Sequence, residues 1–341
     1  MRIARVSGLL AILCLGAAFV LINRAEASTA LSSLREADRA LLSLAVACAA
    51  GYLVAYAALV WTCMASAGLR LTFPRAALVG TAAHFYNLAI VYSGGLGGVG
   101  VAVGEARRMG ERTGKAVAGY LLVSQIGHFT FAAVLAAALL LEFSAGSLSP
   151  IEVAAASVFV AYCVALIATM VAIVTSERLF LFVHRIEAAI LGRVRHMLRL
   201  HEATDEAASE PALEMRTVLR DLFRKPRAFS LPVFSGVLVE LAGIATLWAT
   251  LAAYGVHTGV MTPLTAYAVG VLFSIVSFLP AGLGFAEAGL GLSLRRAGVD
   301  GPSTVLVVVT FRLLETWLPF VAGASAALLV RRVKRNACDD R

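Results

Sequence analysis

The chain has 341 residues, 60% of them hydrophobic and 15% charged, with a formal net charge of +8. Soluble domains carry about 25% charged residues, so this composition and a mean hydropathy of +0.85 exclude an ordinary water-soluble enzyme, a nucleic-acid-binding domain and a disordered chain. The cationic excess is therefore read by position, because membrane proteins gather Lys and Arg in cytoplasmic loops.

A helix that crosses a bilayer needs roughly 20 mostly apolar residues. Such runs lie at about 3–22, 40–65, 76–92, 116–141, 151–175, 229–254, 263–279 and 303–330. The first follows Arg2 and Arg5 and precedes Ala25-Glu26-Ala27. It reads either as a secretory signal with an A-x-A cleavage site or, preferred here, as a retained helix. Two glycine-rich apolar pieces, about 94–106 and 281–294, follow the third and seventh runs and are too short to cross alone. One extended polar stretch, about 176–228, carries Leu179, Phe180, Phe182, Val183, Ile186, Ile190, Leu191, Val194, Met197 and Leu198 at helical spacing. That spacing predicts an amphipathic helix on a membrane face, then a polar break around Pro211. Four of the cysteines, Cys14, Cys48, Cys63 and Cys163, sit in apolar runs as small core residues, and Cys338 stands near the C-terminus. Their spacing gives no disulfide framework and no metal site.

With the N-terminus in the cytoplasm and both glycine-rich pieces folded back as re-entrant hairpins, the inside segments are 1–5, 66–75, 107–115, 176–228 and 331–341. These hold most of the 29 Lys and Arg, leaving Arg24, Arg35, Arg39, Arg295 and Arg296 outside and Arg312 within the bilayer. A full crossing at 76–92 would instead put Arg107, Arg108, Arg112 and Lys115 outside, against the positive-inside bias. The re-entrant topology is also symmetric. A shift of 187 residues aligns Gly95-Leu96-Gly97 with Gly282-Leu283-Gly284, and Gly104, Arg108 and Gly114 with Gly291, Arg295 and Gly301. The expected fold is an all-α polytopic membrane bundle in one domain. Its two repeats, about 40–141 and 229–330, have opposite orientation, and 176–228 is a cytoplasmic insert between them. Broken helices inside inverted repeats are how secondary transporters build a midplane site.

The run Gly95-Leu96-Gly97-Gly98-Val99-Gly100 matches the dinucleotide fingerprint, but no strand–helix alternation surrounds it. It reads either as close helix packing or, preferred, as a hairpin tip whose free backbone N–H groups can meet an anion. In Ser277-Phe278-Leu279-Pro280-Ala281-Gly282-Leu283-Gly284-Phe285-Ala286-Glu287 the proline stops a half-helix and the glycines allow the reversal. Glu287 then sits one turn into the second half-helix, where an intramembrane carboxylate marks a functional cavity or the counter-ion of an arginine. Arg312 and Glu315 share a helix face, either as a donor fork with its carboxylate beside a headgroup or as a structural ion pair. Glu240 is a third intramembrane carboxylate with the same two readings. Gln125 and His128 occupy the places equivalent to Arg312 and Glu315, and His128 reads as a packed histidine. Tyr86 and Asn87 end the first half-helix and line the cavity or pack at an interface. Glu105, Arg107 and Arg108 contact a headgroup at the cytoplasmic mouth or are simply solvated. The lipid-contacting set is thus Glu287, Arg312, Glu315, Glu240, Asn87, Gln125 and Arg108, and the tips are Gly95 and Gly97, then Pro280, Gly282 and Gly284. No nucleophile–base constellation and no metal or cofactor motif is present in the sequence, so no catalysis, metal or cofactor is expected.

These residues carry a resemblance. Leu279-Pro280-Ala281-Gly282-Leu283-Gly284-Phe285-Ala286-Glu287, followed by Gly298-Val299, Arg312, Pro319 and Gly323, resembles the lysylphosphatidylglycerol synthase transmembrane-region family, also called flippase-like domain proteins. The first half is similar through Asn87, the glycine-rich tip, Arg107-Arg108 and Gly114, but Tyr92-Ser93 stands where the family has a proline. The resemblance covers most of the chain. Members include the flippase half of the multiple peptide resistance factor, standalone inner-membrane proteins and proteins of hopanoid gene clusters. It implies a bacterial inner-membrane protein that moves or handles a lipid across the bilayer, and the Lys/Arg bias above puts both termini in the cytoplasm. The sequence has no counterpart of the soluble aminoacyl-transferase domain, so the synthase activity in the family name is not expected. Two other functions remain open: a non-transporting partner of a lipid- or glycan-synthesising enzyme, docking through 176–228, and an ion-coupled small-solute carrier using Glu240 and Glu287. Partners are a membrane lipid and a lipid-modifying enzyme, not nucleic acid, and a homo-oligomer is left open.

Overall fold

The computed structural model describes residues 37–89, 96–146, 149–175, 206–277 and 279–339. The first apolar run, Gly95, Phe278 and the amphipathic segment as far as 205 lie outside the described residues. The described residues are all-α. This is the solution a bilayer imposes, since each backbone N–H must find its acceptor without water.

In chain order the helices are α1 (Arg39–Ser66), α2 (Phe73–Ala89), α3 (Val99–Arg108), α4 (Thr113–Ser144), α5 (Pro150–Thr175), α6 (Glu206–Phe223), α7 (Ser230–Ala253), α8 (Met261–Val276), α9 (Phe285–Arg296), α10 (Gly301–Arg312) and α11 (Leu318–Asp339). Short 3₁₀ turns lie at Leu96–Gly98, Pro226–Phe229 and Pro280–Gly282. A π turn, Leu313–Trp317, joins α10 to α11. Five stretches among the described residues are long and apolar enough to cross a membrane: Arg39–Ser66, Thr113–Ser144, Pro150–Thr175, Pro226–Ala253 and Gly301–Val330. The protein is therefore a polytopic membrane protein. Helices α2 and α8 have 17 and 16 residues, a rise of about 24–26 Å against a hydrocarbon core of about 30 Å. Each is followed by a break and a short helix packed back against it, α3 on α2 and α9 on α8.

The offset that aligns the glycines also aligns the helix ends. Moved on by 187 residues, α1, α2 and α3 fall on 226–253, 260–276 and 286–295, where Pro226–Ala253, Met261–Val276 and Phe285–Arg296 are found.

The described residues form two compact units, one from those up to Ala50 with Gly243–Leu318, the other from Gly51–Ala242 with Pro319 onward. In the second unit Leu59, Met64, Leu69, Tyr120 and Leu219 are fully buried. Helix α6 brings Met215, Leu219 and Leu222 into this core against α4. The polar break expected around Pro211 is thus a correction: α6 runs through it, because its apolar face has a core to enter. Pro211 falls within the first two turns, where the ring removes one backbone donor. Arg112, the N-cap of α4, supplies no side-chain bond. Glu214 Oε2 does so from α6, accepting the Gly114 N–H at 3.0 Å, which places an anion at the positive end of the helix. The Cys63 and Cys163 thiols are free and buried, and Cys48 is free and half-buried.

In the first unit α9 packs on both α8 and α10, around Leu247, Leu251, Leu272, Leu290 and Leu294. A Cβ at Gly289 would stand 2.8 Å from Phe273 Cγ, so glycine sets how closely the two arms of this hairpin approach. Helix α8 ends at Val276, not at Pro280. Ser277 turns to extended backbone and its Oγ accepts the Leu279 N–H at 3.0 Å. A residue preceding proline is barred from the helix, so the reversal begins upstream and Pro280 opens the 3₁₀ turn.

Candidate functional site

The second hairpin tip is built from left-handed backbone: Ala281 has φ +54°, Gly282 +69° and Gly284 +81°. Glycine adopts this freely, whereas alanine pays a steric penalty that its surroundings must offset. They do so through Arg312, whose Nη2 donates to the Ala281 carbonyl at 2.7 Å. Glu287 lies in the first turn of α9. Its Oε2 accepts the Gly284 N–H at 2.7 Å, capping the helix, and its Oε1 accepts from Arg312 Nε at 2.8 Å.

Arg312 is the last residue of α10 and the π turn follows directly. Pro319 lies just beyond, and a proline that withholds an N–H disturbs the regular ladder upstream of itself. Arg312 Nη1 donates to Thr316 Oγ1 at 2.7 Å and stands 3.4 Å from Glu315 Oε2, while the Thr316 hydroxyl donates to Glu315 Oε2 at 2.7 Å. One guanidinium therefore binds the tip backbone, the α9 carboxylate and the π turn together. Arg312 is 6% exposed, whereas the Glu287 and Glu315 side chains keep 25% and 20%. The donor fork thus faces protein acceptors, and it is the two carboxylates that present an accessible edge. With all three groups ionised the cluster carries one excess negative charge.

The first hairpin is held differently. Asn87, on α2, donates from Nδ2 to the Tyr120 hydroxyl at 2.8 Å and accepts the Gly98 N–H at 2.9 Å. The expectation of free tip amides is corrected at Gly98, whose N–H is committed to Asn87. Gly97 stands where a Cβ would meet the Tyr86 carbonyl oxygen at 2.7 Å. On α3, Glu105 is buried and accepts from Arg75 Nε and Nη2 at 2.5 and 2.8 Å. Arg108 Nη1 lies 3.6 Å from Glu105 Oε2, and its Nη2 donates to the Val330 carbonyl. A cavity of about 510 Å³ opens beside this hairpin, lined by Tyr86, Gly97, Gly100, Gly104, Arg107 and Arg108 among others.

The structure thus joins Glu287, Arg312 and Glu315 to the Ala281–Gly284 backbone, and separately joins Asn87 to the tip at Gly98. Gln125 and Glu240 are buried on α4 and α7, and the Gln125 Oε1 has no hydrogen-bond partner. His128 bonds the Ser124 carbonyl through Nδ1 at 2.6 Å and packs edge-on against Tyr162. Sequence reasoning missed Thr316, Ala281, Arg75 and Tyr120. Thr316 had a signal, being four residues from Arg312, but Tyr120 is 33 residues from Asn87 and had none.

A stretch of 170 residues is 24% identical to a "UPF0104 membrane protein" of Methanothermobacter thermautotrophicus and covers 48% of this chain. The match spans 50% of that protein, so the chain corresponds to about half the length of this relative. The family described as "Lysylphosphatidylglycerol synthase TM region" matches residues 5–323, and the chain belongs to that family.

Proposed function

We propose that this protein moves a polar-headgroup lipid across the bilayer of a bacterial cytoplasmic membrane, with both termini on the cytoplasmic side. The observation that carries this reading is the Arg312 cluster. Ionised groups placed among membrane-crossing helices are costly and are retained where they meet a substrate or an ion. Here Glu287 and Glu315 keep an accessible edge beside a strained hairpin tip. The headgroup contacts these carboxylates while its acyl chains stay in the surrounding lipid. Membership of a lipid-related membrane family supports this reading. The recurrence of helix ends at the 187-residue offset supports two repeats of opposite orientation, whose rocking would alternate access.

The scaffold alternative needs 176–228 as a docking surface, but the apolar face of α6 within it already enters the protein's own core. The ion-coupled alternative would show as transport that stops when a proton gradient is collapsed. The deciding experiment uses proteoliposomes carrying headgroup-labelled phosphatidylglycerol or phosphatidylethanolamine and a membrane-impermeant quencher. The wild-type chain should expose inner-leaflet label faster than protein-free vesicles. Glu287→Gln together with Glu315→Gln should slow this about tenfold, a loss of about 1.4 kcal/mol of barrier stabilisation. A wild-type rate equal to that of empty vesicles would end the lipid-translocation reading.

A further inference from the structure

The cavity beside the first hairpin is an apolar slot with a cationic end. Its floor is Gly100 and Gly104, one turn apart on α3, and a Cβ at either would meet nothing within 4 Å. The space exists because those side chains are missing. Tyr86 and Val330 contribute to the walls, and Arg107 and Arg108 line the end nearest the C-terminus of α3. At about 510 Å³ the slot lies within the range of about 300–1,000 Å³ usual for ligand sites.

The charges at that end do not cancel. Arg75 and Arg108 share one carboxylate, Glu105, and Arg75 holds it through two hydrogen bonds. Arg108 Nη1 is buried without a hydrogen-bond partner, at 3.6 Å from that carboxylate. The Arg107 guanidinium is exposed and pairs with no carboxylate among the described residues. Among the described residues, Arg75, Arg107, Arg108 and Glu105 therefore carry two excess positive charges beside an apolar groove. Basic pockets between membrane helices are a recognised way of holding anionic headgroups. A small soluble anion would satisfy the arginines and leave the groove empty, whereas a zwitterionic lipid would fill the groove and leave net charge behind.

We infer that this slot is a binding site for an anionic phospholipid of the surrounding membrane, with one acyl chain over Gly100 and Gly104 and the phosphate-bearing head against Arg107 and Arg108. The site rests on the protein's membrane residence but not on lipid translocation, and it shares no residue with the Arg312 cluster.

The test places the full chain in phosphatidylcholine nanodiscs and adds a phosphatidylglycerol with a photoactivatable group in its acyl chain. Labelled peptides are then mapped by mass spectrometry. Labelling should concentrate on α3 and on Ala327–Val330, about tenfold above that from a phosphatidylcholine carrying the same chain. Arg107→Gln should lower phosphatidylglycerol labelling to the phosphatidylcholine level. Gly100→Leu, which fills the slot, should remove labelling by either lipid without lowering the melting temperature. Equal labelling by the two lipids in the wild type would overturn the inference, as would labelling that persists in Arg107→Gln, or competition by inorganic phosphate. Should Gly100→Leu fail to fold, the exposed Arg107 variant still decides. Translocation is measured separately, so selective labelling without transport would refute the transport reading alone.

Discussion

Replacing Arg312 by alanine should destabilise the protein by about 3–5 kcal/mol, the range for removing one partner of a buried ion pair. Arg312 is 6% exposed and holds Glu287, Glu315, Thr316 and the Ala281 carbonyl at once. Its loss leaves two carboxylates without a counter-charge. It also leaves the left-handed Ala281 without the donor that fixes its carbonyl, and an unsatisfied polar group adds its own desolvation penalty. Denaturant unfolding in detergent micelles measures the effect. Lost transport in this variant alone therefore says little about headgroup contact. The double variant Arg312→Gln with Glu287→Gln removes both charges together. It should lose less stability than the sum of the single substitutions, because the two sites are coupled. A loss below about 1 kcal/mol for the alanine variant would instead place the cluster among solvated pairs.

Gly98→Ala should cost about 1–3 kcal/mol, as overpacking does in well-packed interiors. A Cβ there would lie 2.1 Å from the Tyr120 hydroxyl, 2.4 Å from its Cζ and 2.5 Å from Ala83 Cβ. The Tyr120 ring is 1% exposed and has no space to swing into. The same clash would part the Tyr120 hydroxyl from Asn87 and weaken the Asn87 bond to the Gly98 amide. Gly100→Ala is the matched control, since nothing lies within 4 Å of its Cβ and helix propensity favours alanine by about 1 kcal/mol. Melting temperatures of the two variants should move in opposite directions. An unchanged melt for Gly98→Ala would mean that the tip approaches Tyr120 less closely than described.

Hydropathy made the long helices legible because a bilayer leaves little choice of structure. The run at about 40–65 is Arg39–Ser66, and that at about 229–254 contains Ser230–Ala253. Hairpin ends were less legible: Ser277 and Leu279 leave the helix ahead of Pro280 through a local side-chain bond that no hydropathy window registers. Arg312 and Glu315 could be paired from their spacing. The Glu287–Arg312 bond joins residues 25 apart and depends on a tip geometry that only three-dimensional folding supplies. The π turn at Leu313–Trp317 had Pro319 as its one sequence cue. The region of α6 read as a polar break around Pro211 because charged residues and a proline stand among its few apolar ones, yet those few, Met215, Leu219 and Leu222, are buried together.

The proposal stands on two hairpins that enter the membrane from opposite faces, and site-directed labelling in intact vesicles tests this most directly. In a cysteine-free background, Met109→Cys follows α3 and Ala297→Cys follows α9, at exposed positions beyond the helix ends. An impermeant thiol reagent should modify the first only from the cytoplasmic face and the second only from the outer face. Modification of both from the same face would contradict the inverted arrangement and, with it, the alternating access proposed for lipid movement.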